Sequence, residues 1–135
     1  FGTVALNSTS ISTTSTAVKN TSGTSIETYN LKVSADGTGW TIADSTAGDN
    51  KVRIQAIWNT AQPADVPDDF VHNLSTSAKT CDGTNFAGTA TYDGYNVSPT
   101  TGPEENLWFK LWTPQQSLAI GVKTFYLTIT AALVG

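Results

Sequence analysis

The residues that come closest to a nucleophilic catalytic set in this sequence surround its single histidine. His72 follows Asp68 and Asp69 closely, and serines are abundant elsewhere in the chain. A serine hydrolase needs a base held against its nucleophile, and the Gly-x-Ser-x-Gly turn that often presents that nucleophile is absent. Cys81 with His72 as its base is an equally weak pattern for a cysteine nucleophile. We therefore predict that the protein is not an enzyme and has no catalytic residues.

Paired carboxylates could in principle do glycosidase chemistry, which uses two carboxyl groups at a set separation. The adjacent pairs are Asp68-Asp69 and Glu104-Glu105. Neighbouring residues on an extended segment point to opposite faces, so neither pair forms an acid and a nucleophile. We interpret both pairs as solvated loop residues.

Metal ligands are scarce. One His and one Cys exclude a zinc site built from nitrogen and sulfur donors. Calcium remains an alternative, because carboxylates in predicted loops could supply oxygen ligands even though the EF-hand spacing is absent. We predict no cofactor and keep calcium open at either of two groups, Asp65 with Asp68 and Asp69, or Asp44 with Asp49.

Aromatic residues give a stronger binding signal. Trp108 and Trp112 alternate with Leu107, Phe109 and Leu111, so in a plain two-sheet fold they face outwards with Lys110 between them. Large exposed apolar surfaces mark binding sites. The two rings could stack on sugars together with Tyr92 or Tyr95, could be covered by a neighbouring subunit, or could lie beneath residues 59–103 of the same chain.

The composition favours a secreted protein. The sequence has no Met, so we expect either a processed chain from which a signal or propeptide has been removed or a fragment that begins inside a longer precursor. Its single Cys predicts a domain held together without an internal disulfide. Four Asn-x-Ser/Thr acceptors fit an extracellular or cell-surface location and are candidate glycosylation sites: Asn7, Asn20, Asn73 and Asn96.

The charge pattern limits the partners. A net charge of -4, with seven scattered Lys and Arg residues, argues against a nucleic acid, whose phosphates require clustered cations. No apolar run approaches the roughly 20 residues that span a bilayer. We predict neither nucleic-acid binding nor membrane insertion.

Alternating apolar and polar side chains, with 35 Ser and Thr residues, indicate a protein made of strands. The last two strands are joined across a turn with Pro and Gly, which predicts a closing hairpin. The predicted strands include Phe1–Leu6, Ser10–Asn20, Ile26–Ser34, Lys51–Trp58, Leu107–Trp112 and Lys123–Leu133. About seven to nine strands at this spacing predict an immunoglobulin-like antiparallel β-sandwich, a single domain over 1–135 with one long excursion at 59–103.

The opening Phe1-Gly2-Thr3-Val4, and the later Val18-Lys19-Asn20-Thr21-Ser22, resemble the first two strands of Hydin-like immunoglobulin-type modules. The closing segments, Leu107–Leu111 and Thr124–Ala131, resemble those of secreted prokaryotic surface and filament subunits. The long apolar helix of type IV pilins and the Cys pair of many chaperone-assembled pilins are missing. The resemblance implies a β-sandwich used for assembly or adhesion.

We therefore expect a structural subunit that assembles mainly with copies of itself into a filament, a pilus-like fibre or a surface layer. A terminal strand could complete a neighbour's sheet, with Phe1, Val4 and Leu6 as the candidate donor residues, because an uncovered edge strand invites pairing. The alternative is a carbohydrate-binding or adhesion module that uses the exposed aromatic residues on a polysaccharide.

Overall fold

A computed structural model describes residues 1–64, 69–88, 93–99 and 104–134 and shows a β-sandwich of two sheets. The strands of the described residues are β1 (Thr9–Ile11), β2 (Thr16–Val18), β3 (Glu27–Ala35), β4 (Thr41–Ile42), β5 (Lys51–Trp58), β6 (Lys79–Thr80), β7 (Glu105–Trp112) and β8 (Phe125–Leu133). The all-β prediction is confirmed. No helix in these residues is long and apolar enough to cross a bilayer.

The larger sheet has the strand order β1-β7-β5-β4, and β2 also pairs with β7. β1 and β2 lie end to end along one edge of β7, opposite Lys110–Trp112 and Glu105–Leu107 respectively. They form one interrupted edge strand where a single strand over Ser10–Asn20 was predicted. The segment is rich in Ser and Thr and buries few apolar side chains. β4 pairs with β5 in parallel, so the sheet is mixed and not purely antiparallel.

The smaller sheet has the order β6-β3-β8. β3 and β8 pair antiparallel along their full length, from Glu27 opposite Leu133 to Ala35 opposite Phe125. Alternate side chains of β3 face the other sheet and are buried, because the side-chain period of a strand is two. The core between the sheets is formed by these residues with buried side chains of β5, β7 and the loops: Tyr29, Leu31, Val33, Val52, Ile54, Trp58, Leu74, Phe86, Leu107 and Leu111.

Two strand predictions are wrong. β7 and β8 do not form a hairpin, because β7 pairs with β1, β2 and β5 whereas β8 pairs with β3 in the other sheet. Both edges of β7 are therefore occupied, and residues 113–124 cross from one sheet to the other. No strand forms over Phe1–Leu6, and the first strand of the described residues begins at Thr9.

Described parts of the 59–103 excursion cover the larger sheet. Leu74 N donates to Ile54 O at 2.8 Å and Ala56 N to His72 O at 3.1 Å, so this segment runs along β5. Phe70 then packs with Ile57 and Trp108 on the outer face of the sheet. The excursion therefore buries a surface that would be exposed in a plain two-layer sandwich.

Candidate assembly groove

The strand β8 has one open edge. Val134 N donates to Ile26 O at 2.9 Å and Asp36 N to Thr124 O at 3.1 Å, so the even-numbered positions bond to β3. Because peptide directions alternate along a strand, the odd-numbered residues of β8 direct their N–H and C=O groups away from β3. Among the described residues no strand pairs with that edge. Its nine residues include neither a charge nor a proline, the usual protections of an edge strand.

The inner face of β8 is also poorly covered. Tyr29, Leu31 and Val33 on β3 are buried, but none of the side chains opposite them on β8 is. Phe125, Leu127 and Ile129 are half-buried, Ala131 is exposed, and Leu133 is 71% exposed. The two sheets therefore meet fully beneath β3 and incompletely beneath β8.

A groove of about 720 Å³ lies where this cover is missing. One wall comes from the larger sheet and includes Ile54, Phe109 and Leu111, and the other includes Phe125 and Leu127 of the smaller sheet. Of 18 described lining residues 11 are apolar, and Lys123 is the single charged one. Protein interiors pack nearly as tightly as organic crystals, so an apolar space of this size is unusual between two packed sheets.

Residues at the beginning of the sequence lie at the mouth of this groove. Phe1 and Val4 line it without forming a strand, whereas Leu6 is exposed outside it. The chain is fixed just beyond, where Asn7 N donates to Pro114 O at 2.8 Å and Thr113 Oγ1 to Ala5 O at 2.7 Å. The structure therefore brings two of the three candidate donor residues to the groove.

The predicted pair of exposed tryptophans is not present. Trp108 is 9% exposed, packs with Ile57 and Phe70, and donates from Nε1 to Asn59 O at 3.0 Å. The alternative in which residues 59–103 cover this face is therefore the correct one for Trp108. Tyr95 is exposed, and Tyr92 lies outside the described residues.

Trp112 remains partly accessible beside a small pocket. The pocket has a volume of about 240 Å³, and its lining includes Trp112, Arg53 and Gln115. Lys110 Nζ lies 4.8 Å from the Trp112 ring centroid and Arg53 Cζ 5.3 Å from it, and Nε1 donates to Gln55 Oε1 at 2.7 Å. Two cations and a buried amide thus hold this ring in place.

Titratable groups are dispersed. The His72 ring packs against Phe86 with 5.7 Å between centroids, and burial lowers the pKa of His72, helped by Lys79. Cys81 is fully buried, and burial raises its pKa to about 12 although Trp58 Nε1 donates to its Sγ at 3.2 Å. Such a thiol is a poor nucleophile.

The interpretation of the Glu104-Glu105 pair as solvated is wrong for Glu105. Its side chain is buried and accepts a hydrogen bond from Gly94 N at 2.8 Å through Oε2. The pKa of Glu105 is raised to about 7, chiefly by burial and also by Asp93, against the lowering effect of the Gly94 hydrogen bond. Glu104 is exposed, so the two carboxylates occupy different environments.

In the described part of the chain, no three His, Cys, Asp or Glu side chains come close enough to hold a metal ion. Asp44, Asp49 and Asp69 belong to that part, whereas Asp65 and Asp68 lie outside it.

The four glycosylation acceptors differ in accessibility. Asn7 and Asn96 are exposed. Asn73 is half-buried, accepts from Arg53 Nε at 2.6 Å and donates to Asp44 O at 2.9 Å. Asn20 is 1% exposed, and its Nδ2 donates to Ser25 O and Val97 O at 2.7 and 2.8 Å.

The sequence reasoning missed one surface. Leu118, Ile120 and Val122 are among the most exposed large apolar side chains of the described residues. Their Leu-x-Ile-x-Val alternation indicates an extended segment with one apolar face, but these residues were assigned to the turn before the last strand.

No family model, no curated protein and no solved structure matches this chain.

Proposed function

We propose that this protein is a structural subunit of an extracellular or cell-surface assembly, such as a filament, a pilus-like fibre or a surface layer. Its copies join by β-strand complementation of an immunoglobulin-like sandwich. The observation that carries the proposal is the edge of β8, which no strand of the described residues pairs, directly beside an apolar groove.

An added strand matches both features at once. The odd-numbered residues of β8 offer backbone groups on the open edge, which a partner strand would pair, and the same residues direct their side chains inwards. Alternate side chains of the partner strand would therefore enter the groove beside Leu127 and Ile129. Main-chain hydrogen bonds supply affinity in such strand addition, and the pockets supply specificity.

The donor is the segment Phe1–Leu6 of a second copy. Phe1 and Val4 already line the groove of their own chain, so exchange between copies replaces contacts with equivalent ones. Exchange of an identical element is an inexpensive route to association. The bend lies before Asn7, which has a left-handed φ of 53° and is held to Pro114.

The exchange joins two different surfaces, donor segment and groove, so it is heterologous. Head-to-tail contacts that do not close into a ring produce open fibres. The exposed acceptors at Asn7 and Asn96 and the acidic, Ser- and Thr-rich composition support an extracellular setting.

An edge-blocking substitution tests the proposal. Ala131 is exposed, and its N–H lies on the open edge, so Ala131→Pro removes a donor for the incoming strand without breaking a bond to β3. Ala131→Thr keeps the N–H and is the matched control. Sedimentation velocity and negative-stain electron microscopy would measure association over a concentration series.

We expect Ala131→Thr to assemble like the wild type and Ala131→Pro to stay monomeric with a similar melting temperature. Assembly of both variants at the same concentration would contradict strand addition at β8. A wild-type protein that is monodisperse at every concentration would contradict the structural role itself.

A carbohydrate-binding or adhesion role is the second candidate, favoured by the pocket beside Trp112. An indole face with Arg53 and Gln115 nearby suits a sugar ring, which stacks and accepts hydrogen bonds. Titration with a panel of polysaccharides would test it by tryptophan fluorescence. Trp112→Ala should abolish a binding signal that Tyr126→Ala, an exposed control on β8, retains.

A further inference from the structure

A pocket on the outer face of the larger sheet contains an arginine that has no acidic partner. Arg53 on β5 lies opposite Trp112 on β7, and it points away from the core because Val52 and Ile54, on either side of it, are buried inside. Both residues line the pocket of about 240 Å³, which we call the Arg53 pocket. Ile54 lines the assembly groove on the inner face, so the two sites are separate and share one lining residue, Thr113.

Few contacts hold the Arg53 side chain, and none of them neutralises its charge. Nε donates to Asn73 Oδ1 at 2.6 Å, and Cζ lies 5.3 Å from the centroid of the Trp112 ring. Within the described part of the chain, the guanidinium makes no other hydrogen bond and no ion pair. Its two terminal amino groups therefore remain available to a ligand, on a side chain that the amide and the ring already hold in position.

An unpaired guanidinium at this depth is energetically unfavourable. Arg53 is half-buried, and burial lowers its pKa, because the removal of water destabilises the charged form. The chain has 11 Asp and Glu residues against seven Lys and Arg residues, so acidic side chains are not in short supply. An anion that enters the pocket would provide the electrostatic partner that buried charges generally require.

The rest of the pocket suits a sugar. Of its nine described lining residues six have uncharged amide or hydroxyl side chains and none is acidic, and Thr9, Thr46 and Gln115 are exposed. Such groups form hydrogen bonds with sugar hydroxyls. The indole of Trp112 adds an apolar wall for the C–H groups of the ring. The volume is below the range of pockets that hold drug-sized molecules, so it matches a single ring.

The charge of the lining favours a carboxylate over a phosphate. Arg53 is the single cation among the described lining residues, because Lys110, 4.8 Å from the same indole ring, is buried and does not line the pocket. A phosphate ester carries about -1.5 to -2 charges at neutral pH, so one guanidinium would neutralise it incompletely. A carboxylate carries one charge and pairs with a guanidinium through two parallel hydrogen bonds.

We propose that the Arg53 pocket binds an acidic sugar of the hexuronic class, with the carboxylate on the Arg53 guanidinium and the ring against the Trp112 indole. The inference rests on the second candidate function, sugar binding, and adds the charge of the ligand. A net charge of -4 disfavours a polyanion, so the ligand carries its acidic ring singly, at the end of a chain or as a branch.

A matched pair of ligands isolates the contribution of the carboxylate. Methyl β-glucuronide and its methyl ester differ by one charge and have the same ring. We expect the acid to bind about tenfold more tightly than the ester or better, because a charge-assisted hydrogen bond is roughly twice as strong as a neutral one. Isothermal titration calorimetry and the NMR shift of the Trp112 Nε1–H signal would measure both dissociation constants.

Variants that remove one charge locate this preference. Arg53→Gln should reduce the affinity for the acid to that for the ester. Lys32→Gln removes an exposed cation on the outer face of β3 and should leave the ratio of the two affinities unchanged. A preference for the acid that Arg53→Gln retains would place the carboxylate elsewhere and overturn the inference. Melting temperatures would show that both variants fold.

A second pair of variants leaves Arg53 in place. Thr46→Asp adds a carboxylate to the lining and should give the guanidinium an internal partner, so the acid should lose its advantage over the ester. Thr46→Asn has a similar shape without the charge and should keep that advantage. Equal ratios for Thr46→Asp and Thr46→Asn would overturn the inference even if Arg53→Gln did not fold.

The ligand series also distinguishes this inference from the functions already proposed. Equal affinity of the wild type for acid and ester would overturn the carboxylate assignment and leave sugar binding intact. No binding of either ligand would overturn both, while the assembly role would still be decided by the Ala131 variants. Inorganic phosphate or sulfate that binds as tightly as the acid would assign the pocket to anions in general and also overturn the inference.

Discussion

Leu31 on β3 and Ile129 on β8 lie directly opposite each other, yet Leu31 is completely buried and Ile129 is only half-buried. Ile129 is less buried because the larger sheet does not fully cover the inner face of β8. In the monomer we expect Leu31→Ala to lower the free energy of unfolding by about 3 to 5 kcal/mol and Ile129→Ala by about 1 to 2 kcal/mol. Urea denaturation in the Ala131→Pro background would measure both.

Ile129 should contribute more to stability in the assembly than in the monomer, because a donor strand would bury it. Ile129→Ala should then raise the critical concentration for fibres, whereas Lys32→Ala, on the exposed outer face of β3, should not. Equal destabilisation of the monomer by Leu31→Ala and Ile129→Ala would show that β8 is as well covered as β3.

Glu105 predicts an unusual pH dependence of stability. Its pKa is raised to about 7 in the folded protein, by burial first, from an ordinary value of 4.5. Between these values the folded state keeps a proton that the unfolded state has lost, so the free energy of unfolding falls as pH rises from about 4.5 to about 7. Urea midpoints across this range would measure the decline.

Glu105→Gln should flatten this decline, since the amide oxygen can still accept from Gly94 N and the side chain no longer ionises. Glu104→Gln, the exposed neighbour, is the control and should leave the slope unchanged. A wild-type slope that matches Glu105→Gln would mean that the carboxyl ionises freely in the folded state.

The alternation of side chains predicted much of the fold. Lys51–Trp58 is a strand with the predicted bounds, and the predicted strands at 26–34, 107–112 and 123–133 lie within two residues of β3, β7 and β8. A period of two identifies which face of a strand is buried, and burial is what the sequence encodes most directly. Ser10–Asn20 was predicted as one strand, whereas the structure has two short strands there, β1 and β2, separated by residues 12–15.

Strand partners could not be predicted in the same way. The alternation in Leu107–Trp112 indicates which face of the strand is buried, but it does not indicate which strand lies at either edge. The sequence therefore specified a hairpin with β8 no better than the observed pairing with β5. The burial of Trp108 depends on Phe70, which is distant in sequence. The incomplete cover of β8 is likewise a property of the packed sheets, and Leu127 and Ile129 have the same alternation whether covered or not.

Cys81 should not react with thiol reagents in the folded protein. It is buried, its pKa is raised to about 12 by burial, and a thiol reacts through its thiolate. We expect no reaction with Ellman's reagent at pH 8 until urea unfolds the domain, with the reactive fraction following the unfolding curve. Rapid labelling without denaturant, or a disulfide-linked dimer of the native protein, would contradict this.

Glycan occupancy should follow accessibility. In a host that modifies Asn-x-Ser/Thr, attachment to Asn20 is incompatible with the native fold, because its Nδ2 bonds to Ser25 O and Val97 O inside the domain. We expect folded, secreted protein to carry glycans at Asn7 or Asn96 and none at Asn20, as measured by mass spectrometry of glycopeptides. Modified Asn20 in protein with a native melting temperature would refute the expectation.

A free peptide should replace the donor segment. A chain that lacks residues 1–6 keeps the open β8 edge and loses Phe1 and Val4 from the groove, so a peptide with the sequence of residues 1–7 should bind and raise its melting temperature. Stabilisation by a ligand that binds only the folded state grows as RT ln(1 + [L]/Kd), about 2.7 kcal/mol at a hundredfold excess over Kd. Differential scanning fluorimetry over a peptide series would measure it.

Two controls separate strand addition from general adhesion of an apolar peptide. The peptide with Val4→Asp should not stabilise the truncated chain, because a carboxylate would enter the apolar groove unpaired. The truncated chain with Ala131→Pro should not respond to the unmodified peptide, because its edge lacks the N–H group that an added strand needs. An equal shift with Ala131→Pro and Ala131→Thr would place the peptide away from β8 and remove the basis for the donor assignment.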